Sequence, residues 1–380
     1  MKFKKIKARK ILNSLGNETI EVEIDTDKGK FLSSLPSGTS KSKFEKYLNI
    51  DEEVRRINML KMRKIDLNSI SDLMKLEEEH HSLLVSYALL KALAEDKKIP
   101  VWKLINKNAK RFPIIISKMI GGGKHGKYPE FQEFLVFNRT NDIERMVKNN
   151  LTFYHEIKKI LSKREDFLFS RDLEGGWSIR IKNEEALNLL REISELFMDK
   201  YKIKMEIGVD IAASSFYDDE KKKYVYGDKE LSRDEQISYV SELIDRFNLA
   251  YVEDPLYEED FDGFAIITKN FGKKCLICAD DLTATNTKRI EIANQYGAVN
   301  ACIIKPDQVY SLNETFAFSK LAEKFKYKRI ISHRSGETCD DVLSDLGFGL
   351  QVDMFKISLC TGERTVKINR LFKIKEELYG

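Results

Sequence analysis

Apolar and polar positions follow two different rhythms along this chain. Residues 1 to 110 are mixed. They open with TIEVEIDTDKGKFLSSLPSG, where apolar and polar residues alternate on either side of a DKGK turn, and this predicts a β-hairpin. Segments of helical period follow near 41–64 and 76–97, the second ended by Pro100. From Phe112 onward short apolar runs recur: FPIIISKMI, FQEFLVF, FLFSRD, KMEIGVDIAA, LAYVEDP, KCLICADD, NACIIKP, KRIISHR and DMFKIS. Amphipathic stretches such as 231–248 and 312–325 lie between the later ones. Strand then helix, repeated, predicts a parallel α/β sheet. With this many units in about 270 residues the sheet is expected to close into a barrel.

The apolar runs end in polar groups: Asp210, Glu253, Asp280, Lys305, His333 and Lys356. From Glu253 on they recur every 23 to 28 residues, about one strand–helix unit per step. In a parallel barrel all strands open their C-terminal ends onto one face, so these groups should converge there. Asp210, Glu253 and Asp280 are hard oxygen donors of the kind that suits Mg²⁺. Lys305, desolvated beside a cation, is expected to have a lowered pKa and to act as a base. Lys356 is a residue of the same kind on the last strand. Two lysines facing a tri-carboxylate metal site fit proton abstraction next to a carboxylate. The match is to a known case, the enolase superfamily, and spacing alone would not have dictated it. The cluster His333, Arg334 and Ser335 offers a cation and a hydroxyl to an anion.

Charge and composition narrow the classes. Acids and bases nearly balance, 61 against 65. A net charge of +4 on 380 residues gives no reason to expect a nucleic acid or membrane partner. No signal peptide and no membrane span are expected, since the oiliest stretch, 83–94, carries Lys91 and reads as a core helix. Five cysteines form no framework, which suggests a soluble cytoplasmic protein. Cys275 and Cys278 should face opposite sides of a strand, so no metal or redox role is expected of them. His80, His81 and His155 sit in polar helical contexts and read as surface residues.

Several stretches together resemble enolase, the phosphopyruvate hydratase family. They are RIISHRSGET (329–338), IGVDIAASSFY (207–217), YVEDPLYEEDF (251–261), ADDLTATNTKRI (279–290) and GERTVKINR (362–370), with LPSGTS near the start and QEF at 132–134. The resemblance covers nearly the whole chain. It implies an α/β fold, an enolase-type (β/α)8 barrel (111–380) with an irregular start, behind a small N-terminal α+β capping domain (1–110). It implies reversible dehydration of 2-phosphoglycerate, a small phosphorylated acid, to phosphoenolpyruvate with two Mg²⁺. On matching positions, Asp210, Glu253 and Asp280 would hold the first metal and Lys305 would remove the C2 proton. Glu174 would be the general acid at the 3-hydroxyl, with Glu133 beside it. Lys356 would neutralise the substrate carboxylate, Arg334 and Ser335 would hold the phosphate, and His333 would line the same pocket. Ser40 matches the loop serine that closes over the second metal. His125 is preferred over Lys124 as the histidine of the Gly-rich stretch GGGKHG.

Other positions depart from the family. Leu15 replaces an arginine of the usual subunit interface, which puts the usual homodimer contact in question. Lys41 and Ser42 stand for Thr and Gly, and Leu173 replaces an acid. Trp177 and Ser178 replace a small-residue run, Asp307 replaces an Asn, and segment 357–362 is one residue short. Three readings stand in order: an enolase, a paralogue acting on another phosphorylated or carboxylated acid, and a non-catalytic binding or scaffold protein.

Overall fold

The computed structural model describes residues 1–39, 41–61, 67–126, 128–165, 167, 169–227 and 229–380. The hairpin forms as the alternation predicts, from Glu18–Thr26 and Gly29–Ser34, and Phe3–Leu12 adds an outer antiparallel strand. Ile20, Val22 and Ile24 are fully buried on one face of that sheet, while the glutamates between them face the basic outer strand, as in the Arg9–Glu21 pair.

The N-terminal helices differ from expectation in length. The stretch 41–64 yields only Ile50–Met59 among its described residues, capped by the Asn49 side chain accepting from Glu52 N. Residues 41–49 are held out of the helix by contacts with the barrel mouth. The stretch 76–97 is two helices, Ile70–His80 and Leu83–Lys97, separated at His81 in the left-handed region. His80 is a correction: it is buried, and burial pushes its pKa down to about 4. His81 and His155 are exposed. Leu83–Lys97 is the core helix expected, and Lys91 reaches off it to Asp340 at 2.8 Å.

Eight of the nine apolar runs form a closed barrel: Ile114–Gly121, Glu133–Phe137, Glu206–Asp210, Tyr251–Glu253, Leu276–Ala279, Ala301–Ile304, Lys328–Ser332 and Met354–Lys356. The ninth, FLFSRD, is not a strand of it; its described residues hold only an isolated bridge from Arg171 to Trp177. The barrel is also not wholly parallel. Glu133–Phe137 runs antiparallel to both neighbours. Residues 122–132 are too few for the crossover that a parallel neighbour needs, so the chain returns as a hairpin. This inversion matters for the site. Glu133 begins its strand, yet it lies in register with Asp210, which ends the next one.

Two cores result. One lies between the barrel and its surrounding helices and runs on into the N-terminal sheet. The other fills the barrel and includes Ile116, Leu135, Tyr251, Cys278, Ile303 and Met354. Cys275 belongs to the first and Cys278 to the second, on opposite sides of the strand as period-two geometry requires. Burial raises both thiols. Counting by two from the barrel core toward the mouth gives Lys118, Glu133, Glu253, Asp280, Lys305 and Lys356. Inside-facing alternation therefore delivers the polar set to one place. Among the described residues no helix is long and apolar enough to cross a membrane.

Candidate active site

The barrel mouth is a polar cavity whose lining includes Glu133, Asp210, Asp280, Lys305, Arg334 and Lys356. It divides into three sides by charge.

The first side is the carboxylate set. Lys356 Nζ lies 2.8 Å from both Asp210 Oδ2 and Glu253 Oε2, and 3.3 Å from Glu133 Oε2. Lys305 Nζ pairs with Asp280 Oδ2, and Gln308 donates to Asp280 Oδ1 at 3.0 Å. Asp254 accepts from the amides of Asp280 and Asp281, and so shapes the turn that presents Asp280. Asp254, Asp280 and Asp281 bring ligand oxygens within 4.8 Å of one another, hard donors of the kind a divalent cation takes, and Asp210 and Glu253 stand outside that grouping. Glu253 Oε1 is buried without a hydrogen-bond partner among the described residues. Burial, with Asp210 and Asp280 nearby, pushes the Glu253 carboxyl up to about 7 against its ordinary 4.5. The site carries more negative charge than its lysines neutralise.

That shift has a sign that can be tested without metal. A carboxyl whose folded pKa is raised binds more protons folded than unfolded between about 4.5 and 7, so stability falls as pH rises through that window. Glu133, Asp254 and Asp281 are raised as well, burial first among the causes, and act in the same direction. Glu174 and Asp280 are lowered, and their window lies below the ordinary carboxylate range. Buried His80, His125 and His333, with lowered pKa values, act in the opposite direction up to about pH 6.5, so the group is isolated by comparison with Glu253→Gln. In chelator, urea titrations should show the parent losing on the order of 2 kcal/mol relative to that variant from pH 5 to 7.5. Saturating Mg²⁺ should flatten the slope. A flat difference in chelator would show that the carboxylates are not held under charge stress.

Lys305 differs from its expectation. Burial presses its ammonium down, but the Asp280 carboxylate and its neighbours more than offset this and leave the pKa raised. The expectation of a lowered value weighs desolvation and a cation, and leaves out the direct pairing with Asp280.

The second side is built around Lys118, a residue that sequence reasoning did not single out. Its Nζ lies 2.5 Å from Asp172 Oδ2, 2.8 Å from His125 Nδ1 and 3.0 Å from Glu174 Oε2. Glu133 Oε1 is 4.0 Å from both Lys118 Nζ and His125 Nδ1. Lys124 is exposed, whereas His125 is buried in this cluster. Burial pushes the His125 ring down to about 3, so it is neutral at ordinary pH. Burial also raises Glu133 well above the usual range. Against an opposing burial effect, the permanent cations Lys118 and Arg364 hold Glu174 well below it. The acid pair is thus split, with the proton on Glu133. His333 Nδ1 accepts from Arg364 Nε at 2.7 Å, which leaves its Nε2 facing Glu174 at 4.0 Å.

The third side is Arg334 and Ser335. Both are buried. Ser335 Oγ accepts from Thr39 N at 2.8 Å, and Ser37 bridges to Gly336, so the N-terminal loop lies on this strand end. Glu45 from the same loop pairs with Arg334 at 2.8 Å, and Asp307 approaches it at 3.3 Å. A Cβ on Gly38 would lie 2.1 Å from Arg334 Nη2, so only glycine admits the guanidinium there. Ser40 lies outside the described residues.

Several departures from the family pattern turn out to be packed. Ser42 is buried and donates to Glu258, and Trp177 stacks on Tyr154 with ring centroids 4.7 Å apart. Asp172 takes its room from Gly121, where a Cβ would lie 1.8 Å from Asp172 Oδ2. Lys118, Asp172, Glu45 and Arg364 are site residues that the sequence patterns did not bring forward. Lys118 had a signal, a lone cation in the apolar run IIISKMI. Glu45 sits in a loop and had none.

Comparison with known proteins gives concordant results. The family model described as "Enolase, C-terminal TIM barrel domain" matches residues 109–380. The protein named Enolase of Methanothermobacter thermautotrophicus is 34% identical over 399 residues, covering 98% of this chain and 96% of that one. The Enolase of Archaeoglobus fulgidus is 34% identical over 387 residues, covering 97% and 96%. That of Halorubrum lacusprofundi is 31% identical over 393 residues, covering 98% of each.

Proposed function

The chain belongs to the enolase family of lyases, and on that premise we propose that it reversibly dehydrates 2-phosphoglycerate to phosphoenolpyruvate with Mg²⁺. The observation that carries the proposal is that Lys305 follows a strand four places from that of Glu133 in the eight-stranded barrel, on the far side of the one cavity that both line with Glu174. A base on one side and a proton-bearing carboxyl pair on the other is what removal of a C2 proton and a 3-hydroxyl requires. Lys305 takes the C2 proton as the neutral amine, a form it reaches only when the Asp280 carboxylate that raises its pKa is engaged elsewhere. The proton held by the Glu133–Glu174 pair goes to the departing hydroxyl, which leaves as water. Lys356, beside Asp210 and Glu253, faces the substrate carboxylate, and Arg334 and Ser335 receive the phosphate. His125 and His333 line the leaving-group side. Asp210, Glu253 and Asp280 would hold the first Mg²⁺, and Ser40 belongs to the proposed second site with the phosphate. When bound, Mg²⁺ supplies charge neutralisation for the substrate carboxylate and shares the Asp280 charge now held by Lys305.

The proposal includes a division into a capping domain, 1–110, and a barrel, 111–380. It carries a cytoplasmic location, as fits a soluble phosphorylated substrate and five free cysteines. A homo-oligomer would have to form without the arginine contact that Leu15 replaces.

The test is phosphoenolpyruvate formation from 2-phosphoglycerate, followed by ultraviolet absorbance, with Mg²⁺ and with chelator. Mg²⁺-dependent turnover is expected. Protein that binds Mg²⁺ but leaves 2-phosphoglycerate unchanged would overturn the proposal. A second reading, a paralogue acting on another acid, is favoured by one observation: two carboxylates, Glu45 and Asp307, already face Arg334. Turnover of a non-phosphorylated acid with 2-phosphoglycerate inert would select it.

The close approach of Gly38 gives a further prediction. Gly38→Ala must push the Arg334 guanidinium from its place. The KM for 2-phosphoglycerate should rise about tenfold, equivalent to about 1.4 kcal/mol, with kcat changed less. Steady-state kinetics check this, and an unchanged KM would remove Arg334 from the phosphate site.

A further inference from the structure

We propose that Lys118, anchored on Asp172, is a positioning residue that fixes Glu174 and holds His125 as the neutral tautomer protonated on Nε2. An ammonium has three N–H donors and no acceptor. Around Lys118 Nζ lie three acceptors at hydrogen-bond distance: Asp172 Oδ2, His125 Nδ1 and Glu174 Oε2. His125 Nδ1 and Glu174 Oε2 take hydrogen bonds from it, while Asp172 Oδ2 meets it as a close ion pair without hydrogen-bond geometry. With an ammonium 2.8 Å away, His125 Nδ1 is assigned a lone pair: an N–H there would point at a donor, and the other group facing it, Glu174 Oε2 at 3.4 Å, is already held by Lys118. The imidazole proton is then on Nε2, free to serve the cavity that His125 lines.

The anchor is built into the backbone. Asp172 Oδ1 accepts from the amides of Glu174 at 3.0 Å and Gly176 at 2.7 Å. Its Oδ2 holds Lys118, and the side chain is wholly buried. One aspartate therefore sets both the turn that carries Glu174 and the cation that Glu174 meets. The groups facing His125 are Lys118 from the first barrel strand, Glu133 from the second and Glu174 from the 171–177 turn, with Lys356 and Lys305 acting from farther away.

This arrangement also decides against a rival use of the same residues. His125, Glu133 and Glu174 offer ligand atoms within 4.8 Å of one another, a grouping that could hold a metal ion. Lys118 already occupies the Nδ1 and Glu174 faces of that grouping, and a cation there would meet the ammonium.

The consequence for rate rests on the dehydration reading, while the tautomer does not. Lys118→Met alone strands the buried Asp172, so the informative variant is Lys118→Met with Asp172→Asn, which removes both charges. Side-chain ¹⁵N spectra of histidine-labelled protein read the tautomer, with His125→Gln assigning the signal. The parent protein should show His125 protonated on Nε2 and unchanged from pH 5 to 8. The double variant should show mixed tautomers or titration in that range, and Lys118→Arg should keep the parent signature. An unchanged His125 spectrum in the double variant overturns the proposal whatever the rate. If the parent is active, the double variant should lose about 10²-fold in kcat with KM within about threefold. Exchange of the substrate C2 proton with solvent should persist, because Lys305 is untouched. An inactive parent with the expected spectra would fail the dehydration reading alone.

Discussion

Lys305→Ala should lower kcat for 2-phosphoglycerate by about 10³-fold or more while leaving Mg²⁺ affinity in place. General bases contribute about 10²–10⁴-fold, and no neighbouring group can replace this one. The nearest other ammonium, Lys356, is engaged by Asp210, Glu253 and Glu133. The variant also frees Asp280 from its ion pair, so metal binding should hold or tighten. Turnover is read by absorbance and Mg²⁺ binding by calorimetry. Solvent exchange of the C2 proton should vanish with turnover. Retained exchange would show that another group removes the proton and would sink the assignment of Lys305.

Lys356→Met should cost stability more than any other single change in the mouth. The side chain is buried and is the shared partner of three carboxylates. Removing one partner of a buried charge set costs about 3–5 kcal/mol, because the charges left behind are unpaired. In chelator at pH 8, the unfolding free energy from denaturant titration should fall by that amount, with the midpoint lowered at constant m-value. At pH 5.5 the loss should be smaller, because Glu253, with its pKa pushed up to about 7, can take up a proton instead. Mg²⁺ should restore part of the loss at pH 8. A variant as stable as the parent in chelator would mean that the carboxylates relax apart once the lysine is gone.

The sequence made some of this structure readable for definite physical reasons. Strand-end groups were visible because a barrel strand is apolar until it reaches the mouth, so Asp210, Glu253, Asp280, Lys305 and Lys356 each mark a change of environment. Lys118 obeys the same rule but escapes notice, because its strand continues to Gly121 and the cation looks internal. Counting by two from Ile116 would have found it. The inverted second strand is not written in FQEFLVF itself, which reads the same in either direction. It follows only from the short connection before it. The predicted helix near 41 overran because periodicity does not register tertiary partners. Ser42 and Glu45 are held by Glu258 and Arg334, more than 200 residues away. His80 read as surface because its sequence neighbours are charged, while the fold turns it inward.

The stitching of the N-terminal loop to the strand end at 334–340 has a consequence for how the protein is made. Ser14 donates to the Ser335 carbonyl, the Asp340 side chain accepts from Ser34 N, and Thr39 N donates to Ser335; the partners are 321, 306 and 296 residues apart. A ribosome adding about 5–20 residues per second needs roughly 15–60 s to cover such a gap. For that time the first segment is outside the ribosome with its partner strand not yet made. Its own hairpin and helices must keep it folded in the interval. The mouth is completed only when almost the whole chain exists: a chain that stops before residue 328 lacks two of the eight barrel strands, so the barrel stays open and there is no functional site.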